Sequence, residues 1–134
     1  MGDEVQIKVK APTVMKITII DDDPDIVEVI SLLLESAGHS VTSSPAGVNA
    51  ISLIRKKRPD IIITDLVMAE MDGLELCREI RKDKTLDKTN IVMVSARTDT
   101  IWKQRAKDAG ANGFIEKPID VATFVRDVEA LNAV

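Results

Sequence analysis

The chain has one cysteine, Cys77, so it can close no intrachain disulfide and build no cysteine-rich zinc site. An oxidising compartment is therefore not called for. Cys77 falls between Leu74 and Ile80 on one helical stripe, where a small buried hydrophobe is the expectation. No apolar run approaches the roughly 18 residues of a spanning helix. The start Met1-Gly2-Asp3-Glu4-Val5-Gln6 lacks a basic-then-apolar signal pattern, and Gln6 does not suit myristoylation. A cytoplasmic protein without membrane insertion is expected. Basic residues are also too few: 18 against 22 acidic gives a net charge of −4, the wrong sign for a module that draws its affinity from phosphate backbones. No direct nucleic-acid ligand is expected, and no internal repeat, low-complexity tract or interdomain linker is visible.

What is present is a globular composition, 45% hydrophobic and 30% charged over 134 residues, enough for one core. From Lys16 onward, short apolar runs alternate with stretches of helical period, the rhythm of βα units around a parallel sheet. Five units fit, giving an α/β domain over 16–134 preceded by an extension, 1–15. The first strand is 16–21. Asp23 suits a helix N-cap and Pro24 the first helical position, and Gly38 ends that helix. A weakly apolar edge strand, 39–43, is followed by Ser44-Pro45, which repeats the cap-plus-proline pattern for a helix through Lys57. The basic run 55–58 then complements that helix's C-terminal dipole. The third strand, 60–65, is too uniformly apolar to have a wet face and belongs at the centre. A helix after Asp72-Gly73 runs to about Lys82, and 84–90 reads as polar loop. The fourth strand is 91–95, with a helix over 99–109 ending at Gly110. The fifth strand is 113–117. The last helix, from Asp120, carries Val121, Phe124, Val125, Val128 and Leu131 at amphipathic spacing.

In such a sheet all strand C-termini lie along one edge, and ligands bind there. The strands end in Asp21-Asp22-Asp23, in Asp65, in Ser95 and in Lys117. Converging carboxylates repel unless a cation intervenes, and a hard divalent ion such as Mg²⁺, which takes few protein ligands, suits them. With that ion present, the Asp65 carboxylate could attack a phosphoryl group to give an aspartyl phosphate. Lys117 could pair with one phosphoryl oxygen and Ser95 donate a hydroxyl hydrogen bond to another. Each residue alone has an ordinary structural explanation; only their joint placement is specific.

On these residues the chain resembles the response-regulator receiver domain of two-component signalling. The matching segments are Ile19-Ile20-Asp21-Asp22-Asp23-Pro24, Ile61-Ile62-Ile63-Thr64-Asp65, Met71-Asp72-Gly73, Val94-Ser95-Ala96-Arg97, Ala109-Gly110-Ala111 and Phe114-Ile115-Glu116-Lys117-Pro118. The resemblance implies a doubly wound, flavodoxin-like three-layer (βα)5 sandwich with strand order 2-1-3-4-5. It implies a phosphoacceptor switch that takes phosphoryl onto Asp65 from a sensor histidine kinase or histidine phosphotransfer protein and then alters its affinity for an output protein or domain. It further implies Mg²⁺ held by Asp22, Asp65 and the Val67 backbone carbonyl, with Asp21 acting through water. Ser95 and Lys117 would hold the phosphoryl oxygens, and Phe114 would be the aromatic whose rotamer follows the Ser95 loop. A cis Lys117-Pro118 bond and a readout face of helix four, strand five and helix five come with it. The chain departs from the pattern at Ala69, where proline is usual, at Trp102, where an acid is usual, and at Gln104 and Lys107, where apolar residues are usual.

Two other readings compete. An aspartate-nucleophile phosphohydrolase of the haloacid-dehalogenase type needs a second acid two residues after the nucleophile, and Val67 stands there. A phosphorylation-independent interaction module of the same fold is the alternative: Asp22, Asp65, Ser95 and Lys117 argue against it, while the atypical helix four leaves it open. The domain is thus expected to promote only its own phosphoryl transfer and loss, the latter slowly, since Val67 cannot hold a hydrolytic water. Arg97 is a long cation that could either cover the phosphoryl group or stay in solvent.

In the extension, Val5, Ile7 and Val9 alternate with Gln6, Lys8 and Lys10 up to Pro12, the period of a half-buried strand. An isolated strand is unstable, so the segment pairs with a sheet edge, of this chain or of a second copy in a homodimer, or it is a tail. Deleting residues 1–12 and measuring mass by light scattering and amide exchange along the edge strands decides between them. An edge strand loses protection, and a dimer loses half its mass; a tail changes neither.

Overall fold

A computed structural model describes residues 14–68 and 71–132. The alternating part of the extension and Ala69 lie outside the described residues. The elements are β1 (Lys16–Ile20), α1 (Pro24–Ser36), β2 (Ser40–Ser44), α2 (Val48–Lys57), β3 (Ile61–Asp65), α3 (Gly73–Lys82), β4 (Asn90–Ser95), α4 (Thr100–Ala109), β5 (Gly113–Glu116) and α5 (Phe124–Asn132). All strand pairs are parallel, in the order β2-β1-β3-β4-β5. This is the doubly wound, flavodoxin-like arrangement, with β3 at the centre.

Side chains alternate across the sheet, as strand geometry requires. Ile17, Ile19, Ile61, Ile63, Val92 and Val94 pack with Ile30 and Leu34 of α1 and with Phe124 and Val128 of α5. On the opposite face Ile20, Ile62, Ile91 and Met93 meet Ala50 and Ile54 of α2, Leu76, Cys77 and Ile80 of α3, and Ala106 of α4. Each fully buried isoleucine is worth about 1.5–3 kcal/mol of transfer free energy, so the helices are held by two apolar layers rather than by surface charge pairs.

Local signals place most boundaries. The Asp23 side chain accepts from the Asp25 N–H at the start of α1, and Asp72 from the Glu75 N–H at the start of α3. Gly110 ends α4 at φ 107°. Three boundaries differ from the sequence expectation. Ser44 does not cap a helix; it remains in β2, opposite Ile20, and α2 starts only after Gly47, at φ 116°. The segment 84–90 contains a short 3-10 turn, Lys84–Leu86, that buries Leu86. The last helix starts at Phe124, after a turn in which the Ala122 N–H bonds to the Asp120 carboxylate, and Val121 is exposed rather than part of the apolar stripe.

Two polar networks join distant parts of the chain. Buried His39 accepts the Met15 N–H at Nδ1 (3.1 Å), so its proton sits on Nε2 and is donated to Glu129 on α5 (2.8 Å). Arg81 on α3 donates to the carbonyls of Gly110 (3.0 Å), Leu86 (3.2 Å) and Thr89 (2.9 Å) and to Asn112 Oδ1 (2.8 Å). One helical turn earlier, Cys77 Sγ donates to the Ala109 carbonyl at 3.2 Å. Two side chains of α3 thus hold the C-terminal carbonyls of α4.

Burial pushes the Cys77 thiol up from its ordinary 9.0 to about 11, against the pull of Arg81 and Arg78. Between those values the unfolded chain loses its thiol proton while the folded chain keeps it, so stability falls as pH rises through 9 and levels off above about 11. Cys77→Val should lack this decline, about 2 kcal/mol by that linkage. Urea titrations at pH 8 and pH 10.5 read the difference, with no tyrosine to confuse the window.

Candidate functional site

The strand register determines what meets at the C-terminal edge. Ile20 lies beside Ser44 and Thr64, Asp65 beside Val94, and Ser95 beside Glu116. The next residue on each of β1 and β5 therefore emerges at the same level. The Lys117 N–H continues the ladder onto the Ser95 carbonyl at 2.9 Å. The chain turns immediately afterwards through a cis Lys117-Pro118 bond, as the resemblance implied.

These constraints bring the Lys117 ammonium to 3.2 Å from Asp65 Oδ2 and 3.5 Å from Asp21 Oδ2. Asp21 is nearly buried, with its side chain 4% exposed, while those of Asp65 and Lys117 are 18% and 19% exposed. Burial pushes the Asp21 carboxyl above its ordinary 3.8, and the neighbouring Asp65 charge adds to that push. The Asp23 N–H, bonded to Asp21 Oδ1 at 2.9 Å, and Lys117 pull the other way without cancelling it. Two carboxylates thus share one cation.

The other site residues named from sequence fall around this core. Asp22 Oδ1 accepts the Ala46 N–H at 3.0 Å, which ties the loop after β1 to the loop before α2. The Val67 N–H lies 3.4 Å from Asp65 Oδ1, and the Val67 side chain is exposed. Gly73, at the start of α3, donates its N–H to the Leu66 carbonyl at 2.9 Å. A Cβ at Gly73 would run into the Asp65 carbonyl oxygen, so only glycine lets the helix approach the Asp65 backbone this closely. Buried Ser95 accepts the Arg97 N–H at Oγ (3.0 Å). Half-buried Phe114 packs against the core under α4, with Lys103 Nζ 5.8 Å from its ring centroid. Arg97 lies over the Trp102 ring.

Sequence reading missed the Ala46 and Arg97 N–H donors, because a backbone donor carries no residue signature. It also missed the Trp102 contacts, although Trp102 stood out there as a departure from the family pattern. A cavity of about 450 Å³ lies along β5 and α5, lined by Phe114, Pro118, Phe124 and Leu131 with Glu116, Asp120 and Asp127, and it includes neither Asp21 nor Asp65.

The donor set is chemically suited to Mg²⁺: it is all oxygen, and it carries negative charge that one ammonium does not balance. Among the described residues no group of three acids is gathered tightly enough to hold an ion unaided. Mg²⁺ commonly binds through one or two carboxylates and keeps several waters, so the arrangement fits it.

The sequence model of the response regulator receiver domain matches residues 17–129. The chain is 37% identical over 112 residues to the transcriptional regulatory protein CseB of Streptomyces avermitilis, covering 84% of this chain and 46% of CseB. It is 29% identical over 121 residues to protein PilH of Pseudomonas aeruginosa, covering 88% of this chain and 98% of PilH. The chemotaxis response regulator CheY4 of Vibrio cholerae superposes with a TM-score of 0.84 at 30% identity, over 89% of this chain and 99% of that one. The chain spans about half the length of CseB and of several other curated relatives it matches. It belongs to the response regulator receiver domain family, whose members act as phosphorylation-dependent switches in two-component signalling.

Proposed function

We propose that Asp65 is the phosphoacceptor of this receiver domain and that the donor is a phosphohistidine on a sensor kinase or phosphotransfer protein. The observation that carries this reading is the ammonium of Lys117 at 3.2 Å from an Asp65 oxygen, at the end of the central strand. In the reaction a carboxylate oxygen of Asp65 forms a bond to phosphorus as the bond to the imidazole nitrogen breaks. The electron pair of that bond stays on the nitrogen, and with the other ring nitrogen protonated the imidazole leaves as the neutral base. The side chains do little covalent chemistry, so their work is placement and charge.

Lys117 is already poised at the acceptor and would shift its pairing from the Asp65 carboxylate to a phosphoryl oxygen. Ser95, at the end of β4, would donate its hydroxyl to a second oxygen. The Val67 N–H, beside Asp65 Oδ1, offers a backbone donor on the remaining side. Asp22, Asp65 and the Val67 carbonyl would hold Mg²⁺, with Asp21 acting through water. When bound, the ion supplies positive charge against the phosphoryl oxygens and relieves the repulsion among the acids.

Among the described residues no helix is long and apolar enough to cross a membrane. Placement in the cytoplasm, where the kinase domain would reach it, is part of this reading. The output partner is a protein or a domain that reads the α4, β5 and α5 face through Ser95 and Phe114.

Asp65→Asn should abolish labelling by acetyl phosphate in Mg²⁺, read by intact mass. Labelling that survives at another residue assigns the acceptor elsewhere. Asp22→Ala should weaken Mg²⁺ binding severalfold, whereas Asp23→Ala should leave it intact and lower stability by about 1 kcal/mol, the value of a lost N-cap. Equal loss of metal affinity in the two variants would contradict the assigned ligands.

A further inference from the structure

The loop between β4 and α4 is tied down by one residue at two points. The Arg97 N–H donates to Ser95 Oγ at 3.0 Å, and the Arg97 guanidinium lies 5.1 Å from the centroid of the Trp102 ring. Arg105, one helical turn beyond Trp102, sets a second guanidinium 4.9 Å from the same centroid. The ring is itself anchored: Trp102 is half-buried against the core cluster beneath α4. At the start of this helix Asp99 makes no side-chain cap bond. The first turn of α4 is therefore held to its loop by cation–π contact where other helices of the domain use a carboxylate cap. The next residue, Lys103, reaches both the Phe114 ring (5.8 Å) and Glu116 (2.8 Å) on β5. Adjacent residues of one turn thus contact the Ser95 loop and the strand that carries Phe114.

From this geometry we propose that Arg97 and Trp102 form a latch that sets the resting position of Ser95, and that phosphorylation opens it. The proposal rests on the reading of Asp65 as phosphoacceptor. Ser95 Oγ cannot swing toward a phosphoryl oxygen without either losing the Arg97 N–H or drawing Arg97 after it. If Arg97 follows, its guanidinium leaves the indole. The contact then exists only in the resting arrangement, and a contact made in one state alone is what biases a two-state equilibrium. Arg97 is on this account a positioning residue, acting through Ser95 rather than on the phosphoryl group. An exposed cation–π contact favours the resting loop about two- to fivefold.

The test adds beryllofluoride with Mg²⁺ to the full chain, counts the adduct by fluorine NMR and follows the emission of Trp102, the only tryptophan. The latch requires one adduct per chain and an emission change that saturates with it. Arg97→Met should keep the adduct, lose most of the emission change and lower the half-saturating beryllofluoride two- to fivefold. Trp102→Leu should lower it by a similar factor, read by NMR alone. Emission that stays flat while the adduct forms overturns the latch and leaves the phosphoacceptor reading standing. An Arg97→Met chain that binds beryllofluoride more weakly places Arg97 on the phosphoryl group itself, which also overturns the latch. If no adduct forms, both readings fall.

Discussion

One ammonium shared by two carboxylates is the constraint around which the functional edge is built. Lys117 stands 3.2 Å from Asp65 and 3.5 Å from Asp21 and donates to both, but its single positive charge balances only one of them. Asp21 shows the imbalance: it is nearly buried and its carboxyl is pushed upward, by burial first and by the Asp65 charge as well. A site in this condition gains from any added positive charge and from any rearrangement that lets the lysine serve one partner. Metal binding and phosphoryl capture, as proposed for this edge, would each resolve the same surplus.

Holding that arrangement falls to the sheet. The parallel register aligns the ends of β1, β3, β4 and β5, and the two apolar layers on its faces keep the strands from slipping. A one-residue shift would reverse the alternation of Ile61, Ile62 and Ile63 between the two clusters, and it would carry Asp65 off the lysine. Core packing and site geometry are here one requirement.

The parts of this architecture that local chemistry dictates could be read directly from the chain. Asp23 and Asp72 cap helices because a carboxylate before a helical run meets free N–H groups, and Gly110 ends one because it adopts positive φ. The uniformly apolar 61–63 segment gave away the central strand. What stayed hidden depends on partners far apart in sequence. Ser44-Pro45 looks like a helix start until the pairing of Ser44 with Ile20 is known. Asp120 looks like a cap, yet the turn it forms delays α5 to Phe124. His39 gave no sign of Glu129, 90 residues away, nor Arg81 of Asn112 and Gly110. Of the site, the side chains of Asp21, Asp22, Asp65, Ser95 and Lys117 were visible at strand ends, while the backbone donors from Ala46 and Arg97 were not.

The attachment of α4 to α3 is unequal along its length. Arg81 and Cys77 grip the carbonyls of Gly110 and Ala109 at the far end, whereas the near end, at Asp99, has no side-chain cap. A ten-residue helix is about 15 Å long. Side chains of α3 hold its C-terminal end, while its first turn meets the Arg97 loop through Trp102 and β5 through Lys103. The two ends of the helix therefore answer to different parts of the chain, the far end to α3 and the first turn to the Ser95 loop and β5.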